Sequence, residues 1–81
     1  MNHVVEKLKW RSRRSMLELD LFFDSYIKSG KLDKLSNEYL EYYSILLEVD
    51  DGELLELFHG KNKLRDTKLQ FLIDEIRSAS K

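Results

Sequence analysis

The sequence predicts an all-α protein, one compact bundle of five helices in a single domain spanning residues 1–81, and three observations carry that expectation. Proline is absent, glycine occurs only at positions 30, 52 and 60, and β-branched residues are few, so local propensity favours helix along almost the whole chain. Leucine, phenylalanine and tyrosine recur at spacings of three and four, the pattern of helices that bury one face. A chain of 81 residues that is 42% hydrophobic and 36% charged has the apolar material for one core and no room for a second.

The elements follow in order. Val4, Val5 and Leu8 set a short first stripe that runs into the basic residues Lys7, Lys9, Arg11, Arg13 and Arg14. Met16, Leu19, Phe23, Tyr26 and Ile27 define a second helix stopped by Gly30, with Lys28 and Lys31 placed to favour its C-terminal dipole. Ser15 and Glu18 have capping-box spacing at its start, and Arg14 and Glu18 are four apart, the separation of a helical ion pair. Ser36 is the expected N-cap of a third helix beginning near Asn37, with Leu35 and Leu40 at staple positions and Leu40, Tyr43, Leu46 and Leu47 facing inward. Asp50, Asp51 and Gly52 interrupt it, and a fourth helix carries Leu54, Leu55, Leu57 and Phe58 up to Gly60. Residues 61–65 read as a loop, and Asp66 caps a last helix with Leu69, Leu72, Ile73 and Ile76 on one face. The tail 78–81 is expected to fray.

Composition narrows the function. Without cysteine there is no disulfide, thiolate nucleophile or iron–sulfur ligand, and two histidines, His3 and His59, do not make a metal site. His59 beside Gly60 reads as a capping or solvent-facing residue. No glycine-rich phosphate loop or nucleophile–base set is present, so the expectation is a protein with no catalytic residue and no metal or cofactor of its own. The longest apolar run, Tyr42 to Leu47, is far short of the roughly 20 residues that cross a bilayer. The segment Met1 to Lys9 lacks the apolar core of a secretory signal, which points to a bacterial cytoplasmic protein without membrane insertion.

The formal charge of -1 argues against a protein held by nucleic-acid phosphates, but the charges are segregated. Five basic and no acidic residues lie between Lys7 and Arg14, whereas seven acidic and no basic residues lie between Glu38 and Glu56. Helix surfaces that attract each other within the bundle are the plainer explanation, and a field that attracts a partner is the other.

The segment Arg13-Arg14-Ser15-Met16-Leu17-Glu18-Leu19-Asp20 resembles the signature of the SdhE family, small FAD assembly factors of succinate dehydrogenase, whose pattern is Arg-Gly-x-x-Glu after a basic residue and before Leu-Asp. A second, acidic and leucine-rich family block resembles Leu46 to Leu54 and follows in the right order. Ser15 stands where the family has glycine, and Leu57 where an aromatic is frequent.

The resemblance implies a helical protein, monomeric when free, that binds the flavoprotein subunit of succinate dehydrogenase or of fumarate reductase. It would promote covalent attachment of FAD to a histidine of that subunit, FAD being the partner's cofactor. Carried onto this chain, Arg14 and Glu18 would make charge-assisted hydrogen bonds to the flavoprotein, with Ser15 between them. Lys7, Arg11 and Arg13 would extend a basic rim, and Trp10 and Met16 would supply apolar anchors. Asp20 would orient Arg13 or meet the partner. The alternative reading is an interaction module of the antitoxin or regulator kind that uses the acidic face from Glu41 to Glu56.

Overall fold

A computed structural model describes residues 3–80 and contains five α-helices: α1 (His3–Arg11), α2 (Leu17–Lys28), α3 (Asn37–Leu46), α4 (Asp51–Phe58) and α5 (Thr67–Ala79). A single 3-10 turn, Leu32–Lys34, links α2 to α3, and no strand occurs among the described residues. None of the described helices is long and apolar enough to cross a membrane.

Three helix starts lie where local chemistry puts them. Ser36 Oγ accepts from the Tyr39 N–H at 3.3 Å, the Asp50 carboxylate accepts from Gly52 at 3.1 Å, and the Asp66 carboxylate accepts from Lys68 and Leu69 at 2.9 and 3.1 Å. Each cap satisfies amide donors that the first helical turn leaves without partners. Gly30 and Gly60 end α2 and α4 with φ of 80° and 77°, the left-handed region that side chains resist. A Cβ at Gly60 would also stand 3.1 Å from Nη2 of Arg77, so a substitution there would shift the end of that side chain as well as strain the backbone.

The start of α2 corrects the capping box expected at Ser15 and Glu18. The helix begins at Leu17, Met16 occupies the cap position, and no side chain caps it. At the other end, α5 extends to Ala79, and the Ser80 hydroxyl donates to the Arg77 carbonyl at 2.8 Å. Met1 and Asn2 of the N-terminal segment and Lys81 of the tail lie outside the described residues.

Helix α5 packs against α2, α3 and α4, α1 lies on α3, and α2 also meets α4. The core between them holds Leu19, Phe23 and Tyr26 of α2, Tyr43 and Leu46 of α3, Leu54 and Leu57 of α4, and Leu72, Ile73 and Ile76 of α5. Val5 and Leu8 close it from α1, while Val4 is half exposed, and Leu32 of the 3-10 turn fills a place the sequence pattern did not announce. Phe23 stands edge-on to Tyr43 and Phe58, with centroids 6.2 and 5.5 Å apart, geometry that aromatic quadrupoles favour.

Two buried phenols give the core a pH response. Burial pushes the Tyr43 hydroxyl up to about 12, with the Ser12 hydrogen bond and the Arg14 charge acting in the opposite direction. Burial drives Tyr26 upward as well, with smaller contributions from Tyr43 and Glu75. Phenols that release protons near pH 10 when unfolded but later when folded stabilise the fold fully below about pH 10. That contribution is lost as pH rises from about 10 towards 12. Denaturant midpoints should therefore hold up to about pH 9 and fall above about pH 10, with a shallower fall in Tyr43→Phe. Equal slopes in the two proteins would remove Tyr43 from the explanation.

Candidate protein-docking site

The basic segment ends in an irregular stretch, residues 12–16, that is bolted to the core at its first residue. Ser12 is buried; its hydroxyl donates to the Leu8 carbonyl at 2.6 Å and accepts from the Tyr43 phenol at 2.7 Å. A serine between two arginines in sequence is thus accommodated in the interior because its hydroxyl finds both a carbonyl and the Tyr43 phenol there.

Arg14 is the second bolt. Its guanidinium turns inward, where Nη2 donates to the Leu47 carbonyl at 2.9 Å and Nη1 to Asp51 at 3.4 Å. The guanidinium carbon lies 5.6 Å from the centre of the Phe23 ring, and the side chain is only 16% exposed. Leu47 is the C-cap of α3, so its carbonyl is among those a helix end leaves unpaired, and Asp51 opens α4. One side chain therefore ties the α1–α2 segment to the junction of α3 and α4. The four-residue spacing of Arg14 and Glu18 is not used for an ion pair: Arg14 bonds to Leu47 and Asp51, and Glu18 to His59. Meanwhile the Arg14 amide donates to Asp20 at 3.0 Å, which holds the chain extended just ahead of α2 and leaves Ser15 no helical amide to cap.

Arg13 Nε lies 3.6 Å from the Asp20 carboxylate, and Arg13 itself is well exposed. Glu18 projects from the first turn of α2, half exposed, and its Oε2 lies 2.5 Å from Nε2 of His59 at the end of α4. Ser15 and Met16 are on the surface, as is Trp10 at 79% exposure. Arg11 is less available than a rim residue would be, because it donates to the Ser44 hydroxyl at 2.6 Å and pairs with Glu48 at 3.4 Å. Lys7 is exposed beside it, in a groove of about 550 Å3 between α1 and α3.

The charge segregation thus acts partly inside the molecule, since Arg11–Glu48 and Arg14–Asp51 both join the basic segment to the acidic one. Two leucines outside the predicted buried stripe are exposed on α2. Leu17 and Leu21 are 71% and 55% exposed, one turn apart on the side of α2 away from Leu19, Phe23 and Tyr26. A second leucine spacing of four, out of phase with the buried stripe, was the available signal. Trp10, Arg13, Met16, Leu17, Glu18 and Leu21 thus all carry exposed side chains on or beside the segment that Ser12 and Arg14 fasten, a mixture of apolar and charged groups suited to docking another protein.

Comparison with known proteins identifies the family. Residues 6–80 match the family described as flavinator of succinate dehydrogenase. FAD assembly factor SdhE of Idiomarina loihiensis is 36% identical over 67 residues, covering 83% of this chain and 73% of that protein. The protein of the same name from Shewanella oneidensis is 33% identical over 73 residues, 90% of this chain and 88% of its own, and that of Colwellia psychrerythraea 36% over 70 residues, 86% and 76%. No solved structure matches the chain. These relatives are named for assembly rather than for a catalysed reaction, and the match spans both the Arg14 segment and the acidic block that Arg14 holds: the chain belongs to the flavinator of succinate dehydrogenase family of FAD assembly factors.

Proposed function

We propose that this protein, a cytoplasmic monomer when free, binds the flavoprotein subunit of succinate dehydrogenase, or of fumarate reductase, and promotes covalent attachment of FAD to a histidine of that subunit. The observation that carries the reading is the inward clamp of Arg14, which displays the segment from Arg13 to Leu21 on a backbone fixed at both ends. Met16, Leu17 and Leu21 form the apolar centre of the contact, and Trp10 anchors its edge. Glu18 and Arg13 make the charge-assisted bonds to the partner, and Lys7 adds to the rim. Arg14 and Asp20 act through the loop they hold, Arg11 through α3, and Ser15 sits at the loop's apex.

FAD is the partner's cargo in this reading, and this chain's part is to hold the flavoprotein where flavin and histidine meet. The acidic-face alternative is weakened because Glu48 and Asp51 are engaged by Arg11 and Arg14. The test is whether the chain speeds covalent flavin attachment to the isolated flavoprotein. Glu18→Ala should lose most of that effect while staying folded, since losing the half-exposed pair with His59 costs only about 0.2–1 kcal/mol.

A further inference from the structure

A glutamate on the first turn of a helix with half its side chain in water has several rotamers open to it, and ordering such a side chain at an interface costs about 0.5–1.5 kcal/mol. Glu18 has already met that requirement. Its Oε2 accepts from His59 Nε2 at 2.5 Å, a contact across 41 residues of sequence. The histidine is itself held from three sides. Its amide donates to the Leu55 carbonyl at 2.9 Å, and its ring tilts against Phe22 with centroids 6.4 Å apart. Behind it the turn is locked by Gly60 at φ 77°, by the Lys61 amide on the Glu56 carbonyl at 2.9 Å, and by Arg77 packed on Gly60. Phe22 in turn lies 4.9 Å from Phe58, so the platform reaches the core.

We propose that His59 is a positioning residue for Glu18: it holds one carboxylate oxygen through Nε2–H and so presents the other to the flavoprotein in a prepared orientation. The inference rests on the reading that Glu18 contacts that partner. A carboxylate acceptor requires the hydrogen on Nε2, so the donor role of the ring follows from the partner it has. The contact also joins the signature segment to the end of α4, in addition to the tie that Arg14 makes to the start of that helix.

Two substitutions separate the donor from the ring. His59→Phe keeps an aromatic ring against Phe22 and removes the donor; His59→Gln drops the ring and places an amide nitrogen near the position of Nε2. Affinity for the isolated flavoprotein subunit, measured by titration calorimetry, should fall roughly three- to tenfold in His59→Phe and stay within about twofold of wild type in His59→Gln. In a Glu18→Ala background, His59→Phe should cost nothing further. Thermal unfolding checks that each chain is folded at the assay temperature, and His59→Leu replaces His59→Phe if the latter is not. Wild-type affinity in the donor-less variant, an equal loss in His59→Gln, or a further loss on top of Glu18→Ala would each overturn the proposal. If Glu18→Ala alone binds as tightly as wild type, the contact between Glu18 and the partner fails and takes this inference with it, an outcome distinct from the other three.

Discussion

Replacing Arg14 with alanine is expected to lower stability by about 2–3 kcal/mol, and with it the melting temperature by roughly 10–20 °C for a domain of this size. The magnitude comes mainly from one bond. Leu47 closes α3, and its carbonyl loses the guanidinium donor at 2.9 Å in a place the side chain had shielded. Asp51 suffers less when its partner at 3.4 Å is removed, because it stands in the first turn of α4, where the helix dipole favours a carboxylate. The packing of the arginine over Phe23 is lost as well. Arg14→Lys should recover only part of the effect, since one ammonium group cannot span Leu47 and Asp51 as the planar fork does. Because the clamp sets the loop that presents Glu18, flavoprotein binding should fall even at temperatures where Arg14→Ala remains folded. Thermal unfolding and calorimetry on the two variants check both parts, and a melting temperature within about 2 °C of wild type would show that the clamp is not structural.

Phe23→Ala should be costlier still, about 3–5 kcal/mol, out of a total stability on the order of 4–12 kcal/mol for a chain of this length. Phe23 is 1% exposed, stands edge-on to both Tyr43 and Phe58, and supports the guanidinium of Arg14 from below. Its removal opens a cavity where α2, α3 and α4 converge and withdraws the aromatic face from Arg14 at the same time. Chemical denaturation should show a midpoint shift of that size or a chain already unfolded, and Phe23→Leu should lose about a third as much. Loss of function in Phe23→Ala then reports unfolding, whereas loss in Glu18→Ala reports the surface. A Phe23→Ala protein with wild-type stability would contradict the core described here.

The difference between what the sequence disclosed and what it concealed follows from the range of the interactions. Ser36, Asp50 and Asp66 cap their helices through amides two or three residues away, so their roles are written in local spacing. Ser15 and Glu18 have equally good local spacing, yet no cap forms. The Arg14 amide is taken by Asp20 and its side chain by Leu47, 33 residues away, which leaves the backbone extended where a cap would need it to turn. Spacing alone carries no record of that tether. The same holds for Ser12, polar by type and buried by a phenol 31 residues distant, and for His59, whose partner is 41 residues back.

Charge segregation was legible as a pattern, and the structure gives it a specific meaning. Arg11 and Arg14 are consumed by Glu48 and Asp51, while Arg13 and Lys7 stay at the surface. The family signature likewise separates into two kinds of residue: Arg14 faces the protein's own core, and Glu18 faces outward. Within one motif, therefore, one side chain is turned inward to the junction of α3 and α4 and another lies half exposed at the surface.

The measurement that tests this account most directly mixes the purified chain with the apo flavoprotein subunit, FAD and a dicarboxylate, and follows flavin fluorescence that survives denaturing electrophoresis. Covalent labelling should proceed faster with the chain than without it, and Glu18→Ala at equal concentration should give little acceleration while remaining folded. Labelling at the same rate with and without the chain, and no complex with the flavoprotein, would contradict the proposal that this face docks the subunit and prepares it for its flavin.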